Sequence, residues 1–279
     1  MMNPDNIKAL AFDLDGTLLA PGAVLSERTI NAVSDCMRRG IRIIIATGRA
    51  PVTTEAFRAA LNAEGPMIYF NGALVADMPK NEILSAIMLD IKTAEYCLDI
   101  SREIDMYYQV YFPVYNEDPN IVLMAEKDYP EREMYHKNTG MMSELGDLKK
   151  ALSRPGLSGC VKAMFLSEPE LLDSLRLRLE KHFGKSVYLV KSHPSYLEIL
   201  NKEVSKGEGL KVAMKHYSLK KEEVIVFGDE ENDLPMFEAA GFSVAPSNAK
   251  DTVKARAGAV TRSNADDGVA SFLEEFFGM

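Results

Sequence analysis

The side chains best placed for chemistry are Asp13 and Asp15, which follow the apolar run Ala9-Leu10-Ala11-Phe12 and precede the breaker Gly16. If the segment is extended through both acids, alternation puts their side chains on one side. Two carboxylates held close repel unless they share a proton or a cation. Folding gains nothing from such a pair, whereas nucleophilic or acid–base chemistry uses it. Three further segments have comparable content. Thr47-Gly48-Arg49 follows the run 41–46, apolar but for Arg42, where a hydroxyl and backbone N–H groups make an anion cradle. Lys206 opens a helical pattern at 207–217, where the helix dipole disfavours a cation unless an anion is bound nearby. Gly228-Asp229-Glu230-Glu231-Asn232-Asp233 follows the short apolar run Val224-Ile225-Val226-Phe227. On a first helical turn, Asp229 and Asp233 would share a face.

Each segment also has an ordinary structural reading: a strand-end turn with Asp13 solvated, an N-cap threonine with Arg49 a surface cation, a solvated lysine, and acids compensating a helix dipole. Taken together, the acids outnumber the local bases. A hard divalent cation with oxygen ligands relieves that repulsion, and magnesium suits a few carboxylates plus a substrate phosphate.

The elements that must hold these groups alternate. Ser26 is placed to cap a helix with apolar Ile30, Val33 and Met37, closed by Gly40. The run 41–46 reads as a strand buried on both faces, Pro51 starts the next helix, and 67–70 is a third strand ended by Asn71-Gly72. This rhythm predicts a parallel sheet whose carboxyl edge carries all four segments. From about residue 74 to 190 the pattern changes to Tyr- and Met-rich α+β character, with helices at 92–104 and 169–183 and strands at 106–112 and 187–190. Helices at 207–217 and 234–240 and strands at 224–227, 242–245 and 259–261 then resume the first rhythm. The expected organisation is a discontinuous core domain, 1–80 and 193–279, interrupted by a second domain at 81–192.

At 279 residues the chain has ample volume for two such domains. Its formal charge of −9, with no basic block, argues against a nucleic-acid or membrane-surface partner. No stretch approaches the roughly 18 apolar residues of a membrane helix, and no secretory leader is evident. Cys36, Cys97 and Cys160 are widely spaced and odd in number, which suits reduced thiols in a cytoplasmic protein.

In this order the four segments resemble the motifs of the haloacid dehalogenase-like hydrolases, and the full set is similar to the Cof-type phosphatases. Asp13 to Thr17 matches DxDGT, Thr47 the second motif, Lys206 the third, and Gly228 to Asp233 matches GDxxND. Asn71-Gly72-Ala73, Tyr196-Leu197-Glu198-Ile199, Asn264 and Asp267-Gly268-Val269-Ala270 extend the likeness. Two departures lie beside the motifs: Glu230 where relatives carry a small residue, and Pro246-Ser247-Asn248-Ala249 where Met-Gly-Asn-Ala is common.

The resemblance implies an α/β fold: a Rossmann-like parallel-sheet core with an inserted α+β cap of type IIB. It implies a magnesium-dependent phosphoric monoester hydrolase. Asp13 would be the nucleophile and Asp15 the general acid and base. Leu14 (through its N–H), Thr47, Gly48, Lys206 and Asn232 would hold the phosphoryl oxygens. The metal would be bound by Asp13, the Asp15 carbonyl and Asp229, with Asp233 orienting its waters. The cap would shield the chemistry, with Tyr107, Tyr108, Tyr111, Tyr115 and His193 as residues that could meet substrate, although tyrosines at strand spacing also fit a plain core. The expected partner is a small phosphorylated metabolite, a sugar phosphate first, flavin mononucleotide or pyridoxal phosphate next, acted on by a monomer or small homo-oligomer. Asp15 and the metal site separate the chain from dehalogenases. A phosphotransferase or phosphomutase of the same fold is an alternative, as is a metabolite-binding regulator without turnover, which would have no use for a nucleophile and its acid together.

Overall fold

The computed structural model describes residues 3–113 and 121–279. The chain opens with β1 (Ala9–Phe12), α1 (Glu27–Arg38), β2 (Arg42–Ile45), α2 (Pro51–Ala60), β3 (Gly65–Tyr69), β4 (Leu74–Met78) and β5 (Glu82–Ala86). Next come α3 (Ile91–Glu103), β6 (Tyr107–Pro113), β7 (Ile121–Ala125), α4 (Pro130–Thr139), β8 (Glu144–Leu145) and α5 (Leu148–Leu152). They are followed by β9 (Lys162–Leu166), α6 (Pro169–Phe183), β10 (Val187–His193) and β11 (Tyr196–Asn201). The chain ends with α7 (Lys206–His216), β12 (Val224–Phe227), α8 (Leu234–Ala239), β13 (Phe242–Pro246), α9 (Asp251–Lys254), β14 (Ala259–Thr261) and α10 (Gly268–Phe277). These elements form two compact units, one comprising the chain up to Arg49 with 54–85 and 205–279, the other 50–53 with 86–204.

The first unit holds a five-stranded sheet in the order β14-β13-β12-β1-β2, parallel throughout. β1 lies at its interior because all four of its residues are apolar and fully buried, as are those of β12. Phe12 pairs in register with Phe227 on one side and Ile45 on the other, and the Phe12 and Phe227 rings stack at 4.9 Å. Three strands thus end level, and the residues after each emerge along one edge. Burying side chains of this size contributes about 1.5–3 kcal/mol each. α1 starts where Ser26 Oγ accepts from Thr29 N–H (3.1 Å) and ends before Gly40 at φ +83°.

The expected third parallel strand differs. β3 joins β2 only through an isolated parallel bridge, Ala46 with Ile68, and pairs antiparallel with β4 along its length. The cause lies directly after it: Phe70, Asn71 and Gly72 all take positive φ and turn the chain back on itself.

In the second unit the order is β10-β11-β9-β6-β7-β8, antiparallel except for the parallel β7–β8 pair. Tyr108, Val110, Phe112, Ala163, Phe165, Leu197 and Ile199 pack from one sheet face against α3 and α6. The break between the units also moves. Residues 193–204 belong to the second unit because β11 pairs with β9 (Leu197 opposite Phe165), so the chain returns to the first unit at Ser205 rather than at 193. Among the described residues no helix is long and apolar enough to cross a membrane.

Candidate active site

Asp13 follows β1, Thr47 follows β2 by two residues, and Gly228-Asp229 follows β12, so the level strand ends bring three of the four segments to one edge. The fourth arrives on α7, whose N-cap Ser205 Oγ accepts from Glu208 N–H (3.1 Å). Lys206, at 1 % exposure, donates from Nζ to Asp13 Oδ1 (2.5 Å) and to Asp233 Oδ1 (2.6 Å). The other oxygen of Asp233 accepts from the backbone N–H groups of Asp229 (2.9 Å) and Glu230 (3.0 Å). Asp229 and Asp233 therefore meet through this capping contact in a 3-10 turn, Glu231–Asp233, and not as neighbours on one helix face; α8 begins only at Leu234.

Carboxylate oxygens of Asp13, Asp229 and Asp233 lie within 4.8 Å of one another, and all three residues are buried. Burial raises the Asp13 pKa well above its usual value; the Lys206 charge opposes the rise and the charges of Asp233 and Asp229 add to it. Burial also pushes Asp229 up to about 6, against the hydrogen bond from Thr17. For Lys206 burial disfavours the charge, but Asp13 and Asp233 outweigh it and hold the ammonium above its ordinary pKa. One ammonium thus faces three carboxylates, so with all of them ionised the cluster carries two negative charges in excess. The donor set fits a hard divalent cation: oxygen ligands only, with Asp13 and Asp229 as the pair whose oxygens are not consumed by backbone donors.

Close packing explains two of the glycines. A Cβ on Gly16, at φ +83°, would stand 2.3 Å from Asp229 Oδ2, and one on Gly228 would stand 2.4 Å from Asp233 Cβ. Thr17 Oγ1 donates to Asp229 Oδ1 at 2.6 Å and so fixes that carboxylate. The loop carrying Gly16 is tied down in turn: Asn248 Nδ2 donates to the Gly16 carbonyl and Asn264 Nδ2 to that of Leu19, both at 2.8 Å.

Asp15 departs from the alternation argument. β1 stops at Phe12, so Asp15 lies in the following turn, is exposed, and does not join the buried cluster. Its two oxygens accept from Arg49 Nη2 (2.5 Å) and Nε (2.7 Å), a bidentate pair, while the guanidinium also lies 5.2 Å from the Phe57 ring centroid. The repulsion expected between Asp13 and Asp15 arises instead between Asp13 and the acids that follow β12.

Thr47 is buried; its Oγ1 accepts from Arg49 N–H (3.1 Å). Leu14 is buried with its carbonyl accepting from Thr17 and Leu19. Gly48 lies beside the Asn71 carboxamide, and Asn232 Nδ2 donates to Asn71 Oδ1 at 2.9 Å. Glu230, one of the departures, pairs with Lys250 at 2.8 Å. Spacing gave no sign of the Arg49–Asp15 pair, of Thr17 on Asp229, or of the Asn248 and Asn264 ties, since each joins segments distant in the chain.

Three of the tyrosines are core of the second unit. Tyr107 OH donates to Gln109 Oε1 and meets Ser143 Oγ, both at 2.9 Å; Tyr108 OH donates to the Ala94 carbonyl; Tyr111 OH meets Tyr135 OH. Tyr115 lies outside the described residues. His193, at the end of β10, is exposed, and its Nδ1 accepts from Ser195 N–H (3.1 Å).

The family model described as haloacid dehalogenase-like hydrolase matches residues 10–273. The chain belongs to that family. The Cof-type resemblance read from the motifs is borne out, and the protein is a phosphatase of this family. A 5-amino-6-(5-phospho-D-ribitylamino)uracil phosphatase of Bacillus subtilis, YitU, is 29 % identical over 97 % of this chain and 97 % of its own. A pyridoxal phosphate phosphatase of Escherichia coli, YbhA, is 29 % identical over 95 % of this chain and 97 % of its own. The crystal structure of TM0651 from Thermotoga maritima superimposes with a TM-score of 0.84, at 32 % identity, over 96 % of this chain and 97 % of that one.

Proposed function

We propose that this phosphatase hydrolyses small phosphorylated metabolites, with magnesium, through an aspartyl-phosphate on Asp13. The observation that carries the reading is a buried Asp13, in contact with Lys206 and within reach of Asp229 and Asp233, just after the interior strand β1. Phosphorylated sugars, flavin mononucleotide and pyridoxal phosphate are the proposed substrate class, supported by relatives named for phosphorylated heterocyclic compounds. The separate, buried, free thiols of Cys36, Cys97 and Cys160 support a reducing, cytoplasmic setting.

In this mechanism a carboxylate oxygen of Asp13 attacks phosphorus and the bond to the ester oxygen breaks. Asp15 gives its proton to the departing oxygen, then takes one from the water that attacks the phosphoryl group. Inorganic phosphate leaves and the Asp13 carboxylate is restored, so Asp15 ends as it began. Arg49, gripping both Asp15 oxygens, fixes the place of that transfer, and Asp15 must turn one oxygen away from it. Lys206, with Thr47, Gly48, Asn232 and the Leu14 N–H, holds the phosphoryl oxygens, where charge develops in the transition state. Asp13, Asp229 and the Asp15 carbonyl, with Asp233 behind them, would hold magnesium, which when bound would supply further positive charge to those oxygens.

Phosphate release from a panel of sugar phosphates, flavin mononucleotide, pyridoxal phosphate and p-nitrophenyl phosphate tests the reading. Release with magnesium and none with chelator is expected; silence across the panel from folded, magnesium-loaded protein would sink it. Magnesium alone should also stabilise the fold by relieving the acid cluster. At a hundred times its dissociation constant the gain is about 2.7 kcal/mol, a rise of roughly 5–10 °C in melting temperature by differential scanning fluorimetry. Calcium-free buffer with potassium in place of magnesium should give no such rise.

A further inference from the structure

Asn71 has no task in the chemistry above, yet its surroundings are unusual. It sits in the 3-10 turn Phe70–Gly72 after β3, at 1 % exposure. Phe70, Asn71 and Gly72 hold φ of +50°, +59° and +103° in succession. Left-handed backbone at two adjacent non-glycine residues persists only where the surroundings enforce it. This turn reaches three segments proposed to hold the phosphoryl group. Phe70 N–H donates to the Arg49 carbonyl (3.1 Å) and Asn71 N–H to that of Thr47 (2.9 Å). Gly72 lies so close to the start of α7 that a Cβ there would stand 2.1 Å from the Ser205 carbonyl oxygen, one residue before Lys206.

The side chain completes the set. Asn71 Oδ1 accepts from Asn232 Nδ2, and a Cβ on Gly48 would come 3.2 Å from Asn71 Oδ1 and 3.4 Å from its Nδ2. The carboxamide therefore lies between Gly48 and Asn232. One hydrogen bond joins the two amides, and it leaves Asn71 Nδ2 and Asn232 Oδ1 buried with no partner among the described residues. Turning both amides over keeps the bond and again frees one N–H2 and one oxygen. In either sense the pair, whose Asn71 amide lies beside Gly48, presents one amide donor that no acceptor among the described residues uses, and buried donors are seldom left so.

Resting on the phosphatase reading, we infer that Asn71 is a positioning residue for phosphoryl binding. It orients the Asn232 carboxamide, and the donor that the pair leaves free is kept for a phosphoryl oxygen. Glycine adopts φ near +59° without strain, so Asn71→Gly removes the amide and spares the turn. Asn71→Asp keeps the shape and the oxygen facing Asn232 but has no N–H to give. The probe is inorganic phosphate with magnesium, titrated by calorimetry into wild type, both variants, Asn232→Ala, and the double variant Asn71→Gly/Asn232→Ala. Hydrogen bonds to charged groups predict a loss of about tenfold or more in phosphate affinity for Asn71→Gly, at least as much for Asn71→Asp, and little further loss in the double variant. In turnover, KM should rise with it while the melting temperature stays near wild type.

Unchanged phosphate affinity in either folded variant overturns the inference, as does failure of wild type to bind phosphate. A purely structural role would let aspartate substitute without loss. If wild type binds phosphate but hydrolyses no ester on the panel, the proposed function fails while the binding comparison still decides the role of Asn71. Should Asn71→Gly not fold, Asn71→Asp carries the same decision.

Discussion

Asp13→Asn protein folds and releases no phosphate. The carboxamide has the shape of the carboxylate but no charged oxygen to attack phosphorus, so turnover should fall by at least about 10⁴-fold, some 5.4 kcal/mol of activation free energy. The fold should tolerate the change. Burial and the neighbouring Asp229 and Asp233 already work against a charge at residue 13, and Lys206 keeps its second partner, Asp233, at 2.6 Å. Removing one of three carboxylates therefore exchanges an ion pair for relief of repulsion. The melting temperature should stay within a few degrees of wild type. Phosphate release and circular dichroism melts on the same preparation check both halves. Near-normal release would remove Asp13 as nucleophile, and a collapsed fold would show that the Asp13–Lys206 pair holds the core.

The second large effect falls on Lys206→Met. Methionine fills much of the lysine volume but leaves Asp13 and Asp233 buried without a cation. Breaking a buried pair from one side costs about 3–5 kcal/mol, which corresponds to a drop of roughly 10 °C in melting temperature. Magnesium should restore a good part of that loss, because a divalent ion among Asp13 and Asp229 replaces the missing charge. Turnover should not recover, since the ammonium that the phosphoryl oxygens need is gone, and a loss of about 10²–10³-fold is expected for a charged contact of this kind. Melts with magnesium and with chelator, alongside phosphate release, separate the two roles. A variant as stable as wild type in chelator would contradict the charge balance drawn from the buried cluster.

Much of this was legible in the sequence because apolar runs bounded by breakers leave little freedom. β12 and β14 span the residues expected, and Asp13, Thr47 and Asp229 lie after strands as their motifs require. The failures have physical causes. Alternation put Asp15 beside Asp13, but period-two reasoning holds only while the strand lasts, and the turn toward Gly16 begins after Phe12. β3 read as parallel because strands and helices alternate up to it; its direction of pairing is set by the left-handed turn after it, which that rhythm does not reveal. The second unit runs to 204 because a hairpin's partner is a strand distant in the chain. Tyr107, Tyr108 and Tyr111 alternate across a sheet covered on both faces, so strand spacing could not say whether any was exposed. Arg49 on Asp15 and Asn71 on Asn232 are pairings across 34 and 161 residues, invisible to any local pattern.

β1 has one neighbour, β2, close behind it in the chain, and the other, β12, on the far side of the insertion; the Lys8–Glu223 contact at its start spans 215 residues. During synthesis the strand that delivers Asp13 must therefore wait with one edge open, while residues 86–204 emerge and close their own sheet. Early compaction of that insert shortens the effective loop β12 must close, and so lowers the entropy that final pairing has to overcome. Lys206 and Asp233 arrive only with this last stretch of chain. A ribosome-bound or truncated chain ending before α7 would carry Asp13 without its counter-charge Lys206, and an unprotected strand edge open to mispairing and to chaperones. For this topology, acquiring a completed sheet and acquiring a reactive centre are the same late event.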